Sequence, residues 1–298
     1  MIKYEWRSWL EPAELAQLAD LLDRAARYDA EPEYSTIDFA DVERSIGTAD
    51  GRTRYLVIWM LPYSTGLGEA DQPERIAGLI RMTVGAEGTG AATIVIDPTL
   101  RSIGIATLLL ERVGLDTSGP DGWLGTGAHT ITGWAQGNHP AAGRLGDRFL
   151  IPRTRRVWKL IRSTDSSEDA AAAHVLESLP VAAIDETLGW ANSTGLGDLL
   201  ALRESGRVAG VVEINHEPVD SEEFGQCATI SAASAAPTAS VQARRRLLDG
   251  AAAVAHEAGF GGVIMYVDSN DAEWVNACRL SGFQHDRTDV RFQLGGRR

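Results

Sequence analysis

Ile96-Asp97-Pro98-Thr99-Leu100-Arg101-Ser102-Ile103-Gly104-Ile105-Ala106 is the stretch on which the reading of this chain turns. It follows Thr93-Ile94-Val95-Ile96, an apolar run that reads as a strand. It opens onto Thr107-Leu108-Leu109-Leu110-Glu111-Arg112-Val113, which reads as a helix. A strand, a turn with a glycine and a helix start leave the first backbone N–H groups of the helix without intrahelical partners. The positive end of the helix dipole lies at the same place, so the turn suits a phosphate or pyrophosphate. Gly104 and Ala106 carry almost no side chain and let a ligand approach the backbone. An ordinary strand-to-helix turn shares this outline. The spacing Pro98-x-x-Arg101-x-x-Gly104-x-Ala106 is narrower than such a turn requires.

The chain has 298 residues, more than one typical domain and comfortable for two. With 44% hydrophobic and 23% charged residues it is globular in composition. No apolar run approaches the ~20 residues of a membrane span, and the N-terminus does not read as a signal peptide. A soluble, cytoplasmic protein without a membrane partner is expected. The formal charge of −13 argues against a nucleic-acid partner, which needs a basic track. It is compatible with a cationic amine substrate. Cys227 and Cys278 have neither metal-ligand nor redox-pair spacing, so buried reduced thiols and no metal are expected.

Working outward from the opening stretch, the chain repeats itself. Arg75-Ile76-Ala77-Gly78-Leu79-Ile80 has a partner in Arg207-Val208-Ala209-Gly210-Val211-Val212. Each precedes a strand that ends in proline, at Pro98 and at Pro237, and then a helix. Thr132-Gly133-Trp134-Ala135-Gln136-Gly137-Asn138 likewise matches Met265-Tyr266-Val267-Asp268-Ser269-Asn270. Each half then reaches a phenylalanine, Phe149 or Phe283, and a closing strand, Arg156–Leu160 or Val290–Leu294. The period is too long for a solenoid and reads as duplicated domains, 1–163 and 164–298, joined at the polar run Ser163–Asp169. Glu14–Arg27 reads as an amphipathic helix with Leu15, Leu18, Leu21 and Leu22 on one face. Strands and helices in this order give an α/β (α+β) architecture, with a helix after the central strand of each half.

The Arg101-x-x-Gly104-x-Ala106 pattern resembles the acyl-CoA pyrophosphate loop of the GNAT superfamily of N-acyltransferases. The tandem arrangement, with Trp6-Arg7, Trp134–Ala142 and Ser281-Gly282-Phe283, resembles the mycothiol synthase family, which acetylates the cysteine amine of a mycothiol precursor. The resemblance implies two GNAT domains, each a mixed, mostly antiparallel sheet flanked by helices. It implies acetyl-CoA as co-substrate and a small-molecule amine as acceptor. It places CoA against Val95, Ile96, Arg101, Ser102, Ile103, Gly104, Ile105, Ala106 and Asn138, with an oxyanion-stabilising N–H near Val95 or Ile96. A tandem pair already supplies the packing that single domains of this kind obtain by dimerising, so a monomer is expected.

The second half departs from the pattern. Counting from Pro237, Ser240 stands at the arginine position, Ala243 at the glycine and Arg245 at the last small residue. Thr229 replaces the family's general-base glutamate, and Cys278 replaces the tyrosine that protonates the departing thiolate. A threonine is no base for an ammonium, whereas a thiol with a pKa of about 8.5 could serve as an acid. The Arg244-Arg245-Arg246 cluster could still hold a phosphate by charge. The C-terminal half therefore reads as a degenerate acyltransferase domain, and its activity stays open. In the first half no base or acid is assigned. His139 could act as either or merely cap a turn, and Glu31 and Glu33 could bind an ammonium or form a solvated loop. The alternative to an N-acetyltransferase is an inactive CoA-binding or structural pseudo-acyltransferase.

Overall fold

The computed structural model describes residues 1–47, 52–62, 73–165 and 175–296. The chain divides into two compact units, one of Met1–Arg155 with Asp289–Arg298 and one of Arg156–Thr288.

In unit 1, β1 (Ile2–Arg7) pairs antiparallel with β2 (Thr53–Met60), β2 with β3 (Arg75–Val84), and β3 with β4 (Thr89–Ile96). The run Tyr55-Leu56-Val57-Ile58-Trp59-Met60 is apolar throughout because both faces of β2 are covered. Tyr55, Val57 and Trp59 pack with Leu18, Leu21 and Leu22 of α1 (Pro12–Asp29) and Val42 of α2 (Phe39–Ser45). Leu56, Ile58 and Met60 pack with Ile105, Leu109 and Leu110 of α3 (Ile105–Val113). The expected helix Glu14–Arg27 lies inside α1, with Leu18, Leu21 and Leu22 buried. β4 runs parallel to β5 (Thr130–Ala135), but only from Thr89 opposite Thr130 to Ala91 opposite Thr132. Beyond that point no ladder joins them, and the last residues of β4 keep a bare edge on the β5 side. A 3-10 turn, Gln136–Asn138, leads from β5 into α4 (Pro140–Arg148).

Two further strands, β6 (Arg153–Ser163) and β7 (Leu176–Ser178), are followed by α5 (Ala182–Thr187). In unit 2, β7, β8 (Asp198–Glu204), β9 (Arg207–Ser221) and β10 (Gly225–Ala235) pair antiparallel in turn. β10 runs parallel to β11 (Gly262–Asp268) from Cys227 to Ile230. Leu247, Leu248 and Ala251 of α6 (Val241–Glu257) and Ala277 of α7 (Ala272–Leu280) fill the core with Val212, Ile214, Ala228 and Val263. The second unit thus repeats the strand–helix order of the first.

The closing strands depart from the expected repeat. β6, which contains Arg156–Leu160, lies antiparallel beside β11 of unit 2, from Val157 opposite Asp268 to Ser163 opposite Gly262. The last strand, β12 (Gln284–Gly295), lies beside β5 of unit 1, from Val290 opposite Ala135 to Gly295 opposite Thr130. Each half closes the sheet of the other copy. The physical reason is the likeness of the two strands: Arg-Val-Trp-Lys-Leu and Val-Arg-Phe-Gln-Leu alternate in comparable ways, so neither pattern selects one sheet. Of the run read as a linker, Ser163, Thr164 and Asp165 are described, and Thr164 N–H donates to the Gly261 carbonyl at 3.1 Å. Ser166–Asp169 lies outside the described residues.

Candidate functional site

The turn between β4 and α3 is built from Asp97 outward. Asp97 is fully buried, and its carboxylate accepts the Thr99 N–H at 2.9 Å, the Thr99 hydroxyl at 2.8 Å and an Arg24 N–H at 2.7 Å. Burial works to raise the Asp97 carboxyl, but the bonds from Arg24 and Thr99 outweigh it and hold the group below the usual carboxylate range. The chain then turns through Ser102 (φ 70°) and Gly104 (φ 87°), both left-handed, and enters α3. Gly104 is the N-cap and supplies no side-chain cap. Among the described residues the N–H groups of Ser102, Ile103, Gly104, Ile105 and Ala106 find no hydrogen-bond partner; the first in line that does is Leu108, on the Gly104 carbonyl at 2.8 Å. A Cβ placed on Gly104 meets nothing of the protein within 4 Å, so this backbone faces open space. These are the elements of an anion cradle.

Arg101 serves the cradle in another way than its side-chain charge suggests. Its guanidinium forms a bidentate pair with Asp29, at 2.6 and 2.7 Å, and its Nε donates to the Ile96 carbonyl at 3.1 Å. Asp29 is 3% exposed, and the Asp29 bond raises the guanidinium pKa further. The arginine therefore braces the loop against the end of α1, and the N–H row that follows it is left unpartnered.

The edge of β4 decides which amides face the bare side. Asp97 N–H donates to the Ala77 carbonyl, and the ladder places Val95 opposite Leu79 and Ile96 opposite Gly78. By the alternation of an antiparallel ladder, Val95 N–H is turned to β3, while Ile94 and Ile96 are turned away from it. The outward Ile96 carbonyl, which accepts from Arg101, agrees with this. Of Val95 and Ile96, only Ile96 offers an amide to the cleft.

The segment Asp29–Ser35 spans from the cradle to the end of β5. Tyr34 N–H donates to the Asp29 carbonyl at 3.0 Å, and the Tyr34 ring lies 4.2 Å from the His139 ring. The Ser35 hydroxyl donates to the Trp134 carbonyl and accepts from Gln136 N–H, each at 3.2 Å. Gly137 has φ 62°, and a Cβ there would lie 2.8 Å from the Pro32 carbonyl oxygen and the Tyr34 ring; only glycine fits. Gly137 N–H donates to Asp289 at 2.9 Å. Asn138 follows in the left-handed region (φ 49°), with its side chain exposed. His139 caps α4, its Nδ1 accepting Ala141 N–H at 3.0 Å. Burial pushes the His139 imidazole below its ordinary value, and the Arg101 charge pushes it further, both favouring the neutral ring. The cap reading of His139 holds. Glu31 is exposed, and Glu33 adopts φ 50° beside the turn.

Unit 2 is finished differently at the corresponding place. Ser240 caps α6, its hydroxyl accepting Ala243 N–H at 3.1 Å. Residues 241–243, in step with the cradle residues 102–104, are already helical. Within the Arg244-Arg245-Arg246 cluster, Arg244 pairs with Glu273, Arg245 with Asp249 at 3.3 Å, and Arg246 with Glu204. Cys278 is fully buried against Met265, and burial followed by the Asp271 charge pushes its thiol up to about 12. Its sulfur keeps its proton at neutral pH and is shut off from solvent.

Sequence reasoning missed Arg24 and Ser35 as parts of the site, and it read Asp29 and Tyr34 only as members of the acidic segment Asp29–Tyr34 beside an acceptor. Asp97-Pro98 carried a local signal, an aspartate before a turn proline. The others meet the loop through contacts distant in sequence. Among the described residues no helix is long and apolar enough to cross a membrane, and no group of His, Cys, Asp or Glu is arranged to hold a metal.

No family model matches the chain. A mycothiol acetyltransferase of Sanguibacter keddieii is 34% identical over 102 residues, 33% of this chain and 30% of that protein. One of Saccharomonospora viridis is 25% identical over 246 residues, 70% of this chain and 76% of that protein. The match to the first therefore spans about a third of the relative's length. Among solved structures, a tandem GNAT protein from the clavulanic acid biosynthesis pathway superposes with TM-score 0.59 at 12% identity, over 100% of both chains. A GCN5-related N-acetyltransferase from Sphaerobacter thermophilus gives TM-score 0.56 at 15% identity, over 97% of this chain and 95% of that one. The chain therefore has the fold of the tandem GCN5-related N-acetyltransferases and is similar in sequence to mycothiol acetyltransferases.

Proposed function

We propose that this chain is an acetyl-CoA-dependent N-acetyltransferase acting on a small-molecule amine, and that unit 1 holds the CoA. The observation that carries this reading is the row of unpartnered amides from Ser102 to Ala106, opened by Gly104 at φ 87° into space that no protein atom fills. A pyrophosphate satisfies such a row, and the α3 dipole favours its charge. Ile96 N–H, on the bare edge of β4, is positioned to donate to the thioester carbonyl as charge develops there. The pantetheine arm adds to that edge as a strand would, with Asn138 beside it. Acetyl-CoA supplies the acyl group; the protein binds, orients and stabilises. The acidic segment around Glu31 offers charge to an ammonium acceptor. By likeness to the mycothiol acetyltransferases, an amine on a thiol-bearing metabolite is the first acceptor class to assay. The enzyme is proposed to act as a cytoplasmic monomer, without metal, nucleic acid or membrane. Unit 2 shapes or braces, since its cradle is closed by Ser240.

Calorimetric titration with CoA tests the reading. One site per chain is expected. Gly104→Val forces a branched residue into a left-handed backbone and fills the approach to the amides, and it lowers affinity at least tenfold. Arg245→Ala leaves affinity unchanged. Binding that survives Gly104→Val and is lost in Arg245→Ala reverses the assignment.

A further inference from the structure

The contacts from Arg101 through Asp29 and Tyr34 to His139 end on one nitrogen that is not used. His139 Nδ1 accepts the Ala141 N–H, so in the neutral ring the proton is on Nε2. Among the described residues Nε2 has no hydrogen-bond partner. The ring cannot swing away freely, because the cap bond holds one edge and Tyr34 covers a face at 4.2 Å. It follows the turn after β5, on the far side of the unpaired gap from the cradle.

From this geometry we infer that His139 presents Nε2–H as a fixed, neutral hydrogen-bond donor to the reacting acyl group, and is not the base that deprotonates the amine. The inference rests on the acyltransferase reading above. A ring whose Nδ1 lone pair is held by Ala141 and whose Nε2 carries hydrogen has no lone pair to offer an ammonium. It has one N–H to place against an oxygen or sulfur on which charge grows during attack, a contact worth most in a site shielded from water. The charged and titratable groups around the ring agree with a neutral state: Arg101 and Arg144 disfavour the imidazolium, Asp29 favours it, and burial outweighs all of them. No proton leaves or reaches the ring in this role. The amine nitrogen forms the new C–N bond and gives its proton to solvent or to another base, while the C–S bond breaks and its electron pair leaves on the CoA sulfur as thiolate.

Two substitutions separate the possible roles. Asn places an acceptor where Nδ1 stands and can keep the cap, but it removes the Nε2 donor. Gln reaches the Nε2 position with an N–H and gives up the cap. With acetyl-CoA and cysteine methyl ester as probes, and the N-acetyl product measured by mass spectrometry, His139→Asn is expected to lower kcat at least tenfold with little change in KM or melting temperature. His139→Gln is expected to recover most of that kcat while melting lower. A ¹⁵N spectrum of the wild-type ring is expected to show the Nε2-protonated tautomer. A general base predicts the opposite pattern for Gln, because an amide accepts no proton. A role in capping alone predicts that Asn is harmless. Either result overturns the inference and leaves the acyltransferase reading standing. A wild type that binds CoA but transfers no acetyl group overturns both.

Discussion

The N-termini of α3 and α6 stand at the same point of two copies of one topology, and they are finished in opposite ways. α3 begins on a glycine in the left-handed region, without a side-chain cap, and the amides before and after it are unpartnered. α6 begins on Ser240, whose hydroxyl takes the Ala243 N–H, and its arginines are each matched by an acid. The uncapped end costs stability on its own, on the order of a few tenths of a kcal/mol for a glycine in place of a side-chain cap. That the element leaves its donors unsatisfied in one copy and satisfies them in the other is the contrast on which the proposed CoA site in unit 1 rests. The same contrast runs through the braces. In unit 1 two acids, Asp97 and Asp29, are buried in order to hold the turn, through Arg24 and Arg101. In unit 2 the helix holds itself.

The sharpest way to break this comparison is at the brace. Arg101→Ala leaves Asp29, 3% exposed, without its bidentate partner. Loss of one member of such a pair costs about 3–5 kcal/mol, and the turn that Arg101 pins to Ile96 loosens with it. CoA affinity is expected to fall together with the urea midpoint, and Arg101→Ala/Asp29→Ala should recover part of the stability while leaving binding weak. Arg245→Ala is the matched control. That pair is an i,i+4 contact with Arg245 41% exposed, worth less than about 1 kcal/mol. Equal losses in the two variants would mean that the first loop is no more tightly braced than the second.

How much of this was legible in the chain depends on the reach of each contact. The cradle is local: strand, Asp97-Pro98, Gly104 and the helix lie within one stretch, and each residue declares its backbone role. The duplication was legible because Arg75–Ile80 and Arg207–Val212 carry the same core pattern. The exchange of β6 and β12 was not, since both closing strands satisfy either sheet. The partner of Arg101 was hidden too. Asp29 sits in an acidic segment with Glu31 and Glu33 and looks as solvated as they do, yet it alone is buried. Val95 and Ile96 were inseparable until the ladder register told which amide faces out. What sequence withholds is which of several similar charges, strands or amides meets its long-range partner.

Glu213 extends the comparison to the acids. It lies in the apolar run Val211-Val212-Glu213-Ile214, and the repeat places Arg81 at its position in unit 1. The Glu213 carboxylate is fully buried and accepts from the Ser193 hydroxyl, from Thr194 N–H and Leu196 N–H at 2.8 Å each, and from the Ser231 hydroxyl at 3.0 Å. Burial alone would raise its pKa; the bonds from Ser193, Thr194 and Leu196 win and lower it from 4.5 to about 2. A carboxyl whose folded pKa lies below its unfolded value stabilises above the unfolded value and loses that contribution as pH falls toward the folded one. Roughly 3 kcal/mol is therefore expected to disappear between pH 4.5 and 2. Urea unfolding across that range measures it, and Glu213→Gln should flatten this limb of the curve. If CoA binding by unit 1 declines in step with the Glu213 titration, the two units are not finished independently for their separate tasks.

The smallest effect belongs to Cys278, and it bears on whether unit 2 retains any chemistry. The thiol is fully buried against Met265 and pushed up to about 12, so no thiolate forms near pH 7 and the sulfur is shut off from solvent. Cys278→Ala removes one sulfur from the core, at about 1–2 kcal/mol, and is expected to leave acetyl transfer within twofold of wild type. Native protein should also resist thiol alkylation at pH 8 and react only after unfolding. A collapse of turnover at unchanged fold would place an acid, and with it a working site, in unit 2. The closed N-terminus of α6 would then need another way to admit its substrate, because the residues in step with the unpartnered amides of unit 1 are wound into the first turn of a helix there.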